Sequence, residues 1–129
     1  MSRDLVFGFL LGVVVGTFTA ECKADDWATT DKVLLGAYVV ASAIDAGQTL
    51  QALDERNPDG TRTFWELNPV FGDYPSDRKM IGMKIAGAAL LFVAADQLPK
   101  YRRQILWTAA LIQVSVIAHN AHIGMRLQF

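Results

Sequence analysis

The chain has 129 residues, of which 52% are hydrophobic and only 19% charged, so it is long enough for one domain and apolar for a soluble protein. A net charge of −1 offers no basic surface and argues against a nucleic-acid partner. The lone Cys22 excludes an intramolecular disulfide, and two histidines without paired cysteines are too few ligands for a structural zinc site. We expect no metal and no other cofactor.

Charged residues lie mostly between four apolar runs, which cover residues 5–20, 33–53, 80–98 and 105–125. Runs of about 20 apolar residues are long enough to cross a bilayer as helices, so the sequence predicts an all-α membrane domain over 1–129. A structured loop is expected at 54–79, between the second and third runs. The pattern favours a multi-pass protein of the bacterial inner membrane, surrounded by membrane lipid.

The first run, 5–20, repeats glycine at every fourth position: Gly8, Gly12 and Gly16. Small residues at this spacing let two helix backbones approach closely in lipid, which predicts a packed helix and a homo-oligomer or a membrane-protein partner. A cleaved signal peptide is the alternative, because the run is as short as a signal core and Cys22-Lys23-Ala24 forms a weak cleavage site. The chain would then keep three spans.

A short polar connection, 21–32, leads into the second run. Trp27 suits the headgroup level of a membrane, where one side of the indole ring stays wet. Thr29 or Thr30 is predicted to cap the following helix, and Asp31 then lies favourably in its first turn.

The second run carries one carboxylate, Asp45, near its middle. On a helix Asp45 shares a face with Gln48 and Thr49, and Ser42 extends this face by one turn. An ionisable group at this depth is rare enough in membrane helices to mark a candidate functional site.

The connection 54–79 contains a predicted turn at 57–60, where Pro58 presets φ and Gly60 tolerates positive φ. Its aromatic content is too high for a disordered tether. Glu66 and Asn68 stand two residues apart, and Pro69 holds Asn68 extended. We therefore expect this segment to pack against the bundle and direct Glu66 or Asn68 at the polar face of the second run.

The third run contains Lys84 near one end and Asp96 near the other. Either side chain can reach the headgroup level, where Asp96 is placed to pair with Lys100. The alternative for Lys84 is a partner inside the bundle.

The fourth run has two polar rows. Ser115, His119 and His122 share one helical face, whereas Gln113 and Asn120 lie one heptad apart on a neighbouring face.

The second and fourth runs point in the same direction, which places Asp45 and His119 within about 3 Å of the same depth at ~1.5 Å per residue. We therefore predict that Asp45 and His119 are partners. The third run and the long loop contribute side chains to the same half of the bundle. The predicted buried polar cluster comprises Asp45, Gln48, Thr49, Glu66, Asn68, Lys84, His119, Asn120 and His122.

Three short motifs carry these residues in order: Asp45-x-x-Gln48-Thr49, Glu66-x-Asn68-Pro69-x-x-Gly72-x-x-Pro75, and His119-Asn120. The ordered set resembles small bacterial and phage-borne membrane proteins of unknown function, similar in pattern to the DUF5658-type families, over about 27–129. The resemblance implies that the polar set recurs in that group, and it implies no activity.

Three classes of function follow. In the favoured one the protein is not an enzyme: its buried polar cluster fixes the helix bundle, and it acts by assembling with itself or with other membrane proteins. In the second, the cluster is a metal-dependent or acid–base catalyst, but the sequence has no HExxH, nucleophile elbow or phosphate loop. In the third, the chain is a phage-type pore, lysis or superinfection-exclusion protein.

Overall fold

The computed structural model describes residues 27–64, 70, 72, 74–125 and 127. This part of the chain is helical and contains three helices: α1 (Thr29–Asp54), α2 (Asp77–Gln97) and α3 (Arg102–His122). The predicted first span, 5–20, and its glycines Gly8, Gly12 and Gly16 lie outside the described residues, so the count of four helices has no support there.

The three helices correspond to the second, third and fourth apolar runs, and each begins about one turn earlier than its run. The difference arises because the first turn of each helix is polar, and polar residues were not counted in the apolar runs. Helices α1 and α2 are both long and apolar enough to cross a membrane. Helix α3 is as long as α2, but its amide and imidazole side chains make it more polar.

Two helix starts show how local sequence sets the boundaries. Helix α2 is capped by Ser76, whose hydroxyl oxygen accepts a hydrogen bond from the Lys79 N–H at 3.3 Å. Helix α1 is not capped by Thr29 or Thr30, contrary to the sequence prediction. The cap residue is Ala28, which has no polar side chain, and both threonines lie within the first turn.

Helix α3 ends in a glycine-dependent turn. Gly124 has φ +98°, its N–H donates to the Ala121 carbonyl at 3.3 Å, and the Met125 N–H donates to the Asn120 carbonyl at 2.8 Å. These two bonds form a Schellman motif, which needs a left-handed residue where glycine stands. The turn folds the chain back, and Met125 becomes buried.

The two connections differ in length. A short turn joins α2 to α3, closed by a hydrogen bond from the Tyr101 N–H to the Leu98 carbonyl at 2.9 Å, and it makes these helices antiparallel neighbours. The connection from α1 to α2 begins with a small hairpin, in which the predicted turn at 57–60 is present and Gly60 has φ +84°. Glu66 and Asn68 lie outside the described residues.

The apolar core is concentrated at the end of the bundle where α2 turns into α3. Trp27, Leu34, Ala95 and Leu106 are buried together there, and the Trp27 ring stacks on Phe92 with 5.4 Å between ring centroids. Trp27 is only 5% exposed, so it is a core residue and not the half-wet interface residue that the sequence predicted. A second, smaller apolar contact surrounds Ile81 near the other end.

Candidate functional site

The candidate site is centred on Asp45, which is 5% exposed in the middle of α1. Its carboxylate accepts hydrogen bonds from both other helices. The Lys84 ammonium of α2 donates to Oδ2, Gln113 Nε2 of α3 donates to the same oxygen at 2.9 Å, and Asn120 Nδ2 donates to Oδ1 at 2.7 Å. One carboxylate therefore joins all three described helices.

The spacing of the donors on α3 explains why two of them reach one carboxylate. Gln113 and Asn120 are seven residues apart, about two helical turns, and so project from the same face. Both are buried. Helices α1 and α3 lie side by side, so the two amide groups reach Asp45 from the same face of α3.

A second layer of amide bonds continues towards the ends of α1 and α3. Asn120 Nδ2 also lies 3.4 Å from Gln48 Oε1, and Gln48 Nε2 donates to the Met125 carbonyl at 3.2 Å. The Schellman turn at Gly124 is what brings that carbonyl over α1. The polar chain thus runs from the bundle centre to the backbone beyond α3.

Lys84 is the cationic member of the site. Its side chain is 17% exposed, and that of Asp45 is 7% exposed, so both charged groups are largely buried. Buried charges are tolerated in proteins when they are paired and hydrogen-bonded. The two amide donors supply the further hydrogen bonds that this carboxylate needs.

Hydroxyl groups extend the site along α1 on the side of α2. The Tyr38 hydroxyl lies against Gly87 of α2, where an added Cβ would be 3.7 Å from it. Ser42, one turn after Tyr38, is buried. Among the described residues its hydroxyl interacts with that of Tyr38 but makes no hydrogen bond of good geometry. Thr49 is also buried on the polar face of α1.

The other predicted members of the cluster are placed differently. His119 and His122 are exposed, and the structure does not bring them to Asp45. Adjacent residues on a helix point about 100° apart, so a helix that turns Asn120 inward turns His119 outward. Asp45 has Asn120 as its partner at this level, in place of the predicted His119.

Gln113 belongs to the site but was missing from the predicted cluster. The signal was its heptad spacing from Asn120, which places the two amides in one row. Matched depth alone favours the histidine row, but the rotation of α3 about its axis decides which row faces Asp45.

A second set of polar contacts lies at the end of the bundle near the α2–α3 turn. Trp27 Nε1 donates to Asp96 Oδ1 at 3.1 Å, and Arg102 Nε donates to the Ala95 carbonyl at 3.0 Å. The Arg102 guanidinium also lies 4.6 Å from the Trp27 ring centre. Asp96 therefore has Trp27 as its partner, and Lys100, its predicted partner, lies over the Tyr101 ring.

Metal chemistry needs several ligands at one point. In residues 27–64 and 74–125, no three His, Cys, Asp or Glu side chains gather closely enough to hold a metal ion.

Comparison of the chain with protein-family models, with curated proteins and with solved structures gave no match.

Proposed function

We propose that the protein is a non-enzymatic integral membrane protein whose buried polar cluster fixes the packing of its helices, and which acts by assembling with itself or with other membrane proteins. The observation that carries this proposal is the placement of Asp45. A single carboxylate accepts bonds from Lys84, Gln113 and Asn120, which is the geometry of a cross-brace.

The distribution of polarity supports a membrane setting. Large apolar side chains are exposed on all three helices, among them Val33, Val40, Leu90, Val93, Leu111 and Ile112. Polar side chains, including Asp45, Gln48 and Gln113, are buried between the helices. Exposed apolar surface on this scale marks a membrane or protein contact, and a bilayer surrounds such helices on every side. We place the protein in the bacterial inner membrane as a multi-pass protein.

The energetics of helix association in lipid explain the role given to the polar cluster. Lipid tails are as apolar as leucine, so burying leucine between helices gains little there, and interhelical hydrogen bonds and close packing take a larger share. Each such bond contributes roughly 0.6–2 kcal/mol. Three donors on one carboxylate therefore contribute enough to the free energy of helix association to fix which faces of α1, α2 and α3 meet.

We further propose, on the ordered motifs alone, that the chain is similar to the DUF5658-type membrane proteins. Of the motif positions, Asp45 and Asn120 belong to the cross-brace and Gln48 bonds to Asn120 beside it, whereas His119 is exposed.

The proposal is tested by expressing the chain in bacteria, separating membranes, and washing them with alkaline carbonate. An integral protein stays in the washed membrane, whereas a soluble or peripheral one is released. Assembly is then measured by native mass spectrometry from lipid nanodiscs. Release by carbonate would contradict the membrane proposal, and a strictly monomeric protein that captures no other membrane protein would contradict the assembly proposal.

A further inference from the structure

The outward face of α3 is polar at depths where the other two helices expose apolar residues. Thr108, Ser115 and His119 are exposed along α3. In contrast, every exposed residue of α1 in 33–53 is alanine or valine, and every exposed residue of α2 in 80–95 is glycine, alanine, methionine, leucine or valine. Helices α1 and α2 therefore present surfaces suited to lipid, and α3 does not.

The exposed polar residues of α3 follow a single stripe. They recur at intervals of three or four positions, so they share one side of the helix. This side lies about half a turn away from the buried row of Leu106, Ala110 and Gln113, because each residue adds about 100° of rotation. We call it the outer polar stripe, and it comprises Thr108, Leu111, Ser115, His119 and His122.

The polar groups of the stripe lack partners on the other helices. Within the described part of the chain, one side chain of the stripe makes a hydrogen bond: Ser115 Oγ donates to the Leu111 carbonyl of the same helix at 2.8 Å. Polar side chains in membrane helices commonly bond across helix interfaces when they are Ser, Thr or His. The stripe is therefore a surface for another helix. This step rests on the proposed membrane location, since water would satisfy the same groups in a soluble protein.

The chain that precedes α1 enters the bundle beside the first turn of α3. Trp27 Nε1 donates to Asp96 at 3.1 Å, and Arg102, the first residue of α3, lies over the Trp27 ring. The apolar run 5–20, which lies outside the described residues, is joined to Trp27 by residues 21–26. Such a connection reaches at most about 20 Å when extended, and neighbouring helices lie about 8–10 Å apart. A helix formed by the run can thus lie beside α3.

The run matches the stripe in length and direction. Thr108 and His122 are roughly 21 Å apart along α3, and the run forms a helix of roughly 24 Å, at ~1.5 Å per residue. The run ends on the side of the bundle where α3 begins, so a helix there is antiparallel to α3. Its glycines let a facing helix approach closely. The depths that correspond are those of Gly16 and Thr108, Gly12 and Leu111, and Gly8 and Ser115.

We infer that the run 5–20 is retained and packs antiparallel on the outer polar stripe of α3, as a fourth helix of the bundle. The stripe supplies hydroxyl and imidazole groups, and the run supplies backbone carbonyls that its glycines leave accessible. Among the described helices α3 is the one with this match, because the exposed surfaces of α1 in 33–53 and α2 in 80–95 offer no polar side chain. Self-assembly then uses a surface other than the glycine repeat.

The experiment is disulfide cross-linking of the full chain in bacterial membranes, in a Cys22→Ser background. Gly12→Cys is combined with Leu111→Cys, and Gly16→Cys with Thr108→Cys in a second variant. A disulfide forms only where the two Cα atoms come within about 7 Å. After mild oxidation, non-reducing gels and intact mass separate a disulfide within one chain from one between two chains.

The matched controls combine Gly12→Cys with Val40→Cys or with Leu90→Cys. These residues are 51% and 70% exposed on α1 and α2. Val40 and Leu90 lie less than two turns from the Lys84–Asp45 bond, on the side of the α2–α3 turn, and are therefore near the depth of Leu111. They report whether the run lies on another face of the bundle.

We expect an intact mass that includes the run, and a within-chain disulfide in either α3 pair that forms several-fold more than in both controls. The inference is overturned if the run is missing from the mass, if neither α3 pair links, or if a control links as readily. Cross-linked dimers from the α3 pairs would overturn it too, since a second copy would then cover the stripe. Release of the Cys22→Ser parent by alkaline carbonate would contradict the proposed membrane location as well, whereas a membrane-retained protein without these cross-links contradicts the inference alone.

Discussion

Gln113 and Asn120 of α3 both donate to the carboxylate of Asp45 on α1, at 2.9 and 2.7 Å. Two amides that lie two turns apart on α3 therefore bind one carboxylate. This arrangement sets the rotation of α3 against α1, because a turn of about 100° about the helix axis would point both donors away from Asp45. It also sets the longitudinal register, because a slide along the axis towards one donor would lengthen the bond from the other.

The first prediction concerns these amides. Gln113→Leu should lower the free energy of unfolding in detergent micelles by about 0.6–2 kcal/mol, the usual contribution of one interhelical hydrogen bond in a membrane protein. Gln104→Leu is the matched control on the same helix, since Gln104 is exposed, and should change stability by less than about 0.5 kcal/mol. Equal effects of the two substitutions would argue against a special role for Gln113.

The second prediction separates loss of charge from loss of hydrogen bonding at Asp45. Asp45→Leu leaves the Lys84 ammonium and two amides without their acceptor, and should cost about 3–5 kcal/mol of unfolding free energy, as expected when one member of a buried ion pair is removed. Asp45→Asn keeps one acceptor oxygen and should cost less, about 1–3 kcal/mol. The two variants are compared by reversible denaturation in micelles. If leucine proves the milder replacement, Asp45 is not a structural brace.

The third prediction tests the turn that follows α3. Gly124→Ala forces a side chain into the left-handed region, at φ +98°, and should destabilise the fold by about 1–2 kcal/mol. Gly82→Ala is the control, because Gly82 lies within α2 with open space around its Cβ position, and alanine there should stabilise by about 0.5–1 kcal/mol. Thermal unfolding should move the two midpoints in opposite directions. A Gly124→Ala midpoint at or above the wild-type value would show that the Schellman turn is dispensable.

The fourth prediction concerns the hairpin after α1. Thr61 donates to Asp59 through its backbone N–H at 2.9 Å and its hydroxyl at 2.6 Å, and these bonds hold the pKa of Asp59 below its ordinary value. Since the folded pKa is depressed, this contribution to hairpin stability is present above the ordinary Asp pKa and is lost as pH falls through the lowered value. Thr61→Val removes the hydroxyl donor and should raise the pKa of Asp59, as followed by carboxyl ¹³C shifts.

Thr63→Val is the control for that titration. The Thr63 hydroxyl donates to Asn57 and not to Asp59, so this variant should leave the Asp59 pKa where it is. An Asp59 pKa that is the same in wild type and Thr61→Val would show that the hydroxyl does not set it.

Much of the architecture follows from patterns in the sequence. Apolar runs of about 20 residues located all three described helices to within about one turn. A carboxylate inside such a run needs polar partners, and this requirement identified Asp45, Gln48 and Asn120 as polar groups that face inward. For Lys84 the sequence left two positions open, the headgroup level and a partner inside the bundle. In both cases the reason is energetic and local, so the pattern alone was sufficient.

The rotation of α3 and the burial of Trp27 depend on tertiary packing, which no single apolar run in the sequence determines. Whether His119 or Asn120 faces Asp45 is a question of 100° of helix rotation, and that rotation is set by the whole α1–α3 contact, including Leu106 and Ala110. Trp27 could not be recognised as a core residue, because its partners Phe92, Asp96 and Arg102 are far away in the sequence and lie around the α2–α3 turn.

A double-mutant cycle between Asp45 and Asn120 tests the cross-brace most directly. Asp45→Ala, Asn120→Ala and the double variant are unfolded reversibly in the same micelles, and the coupling free energy is taken from the four stabilities. The cross-brace predicts a favourable coupling of about 0.6–2 kcal/mol. Additive effects, with a coupling of zero, would contradict it.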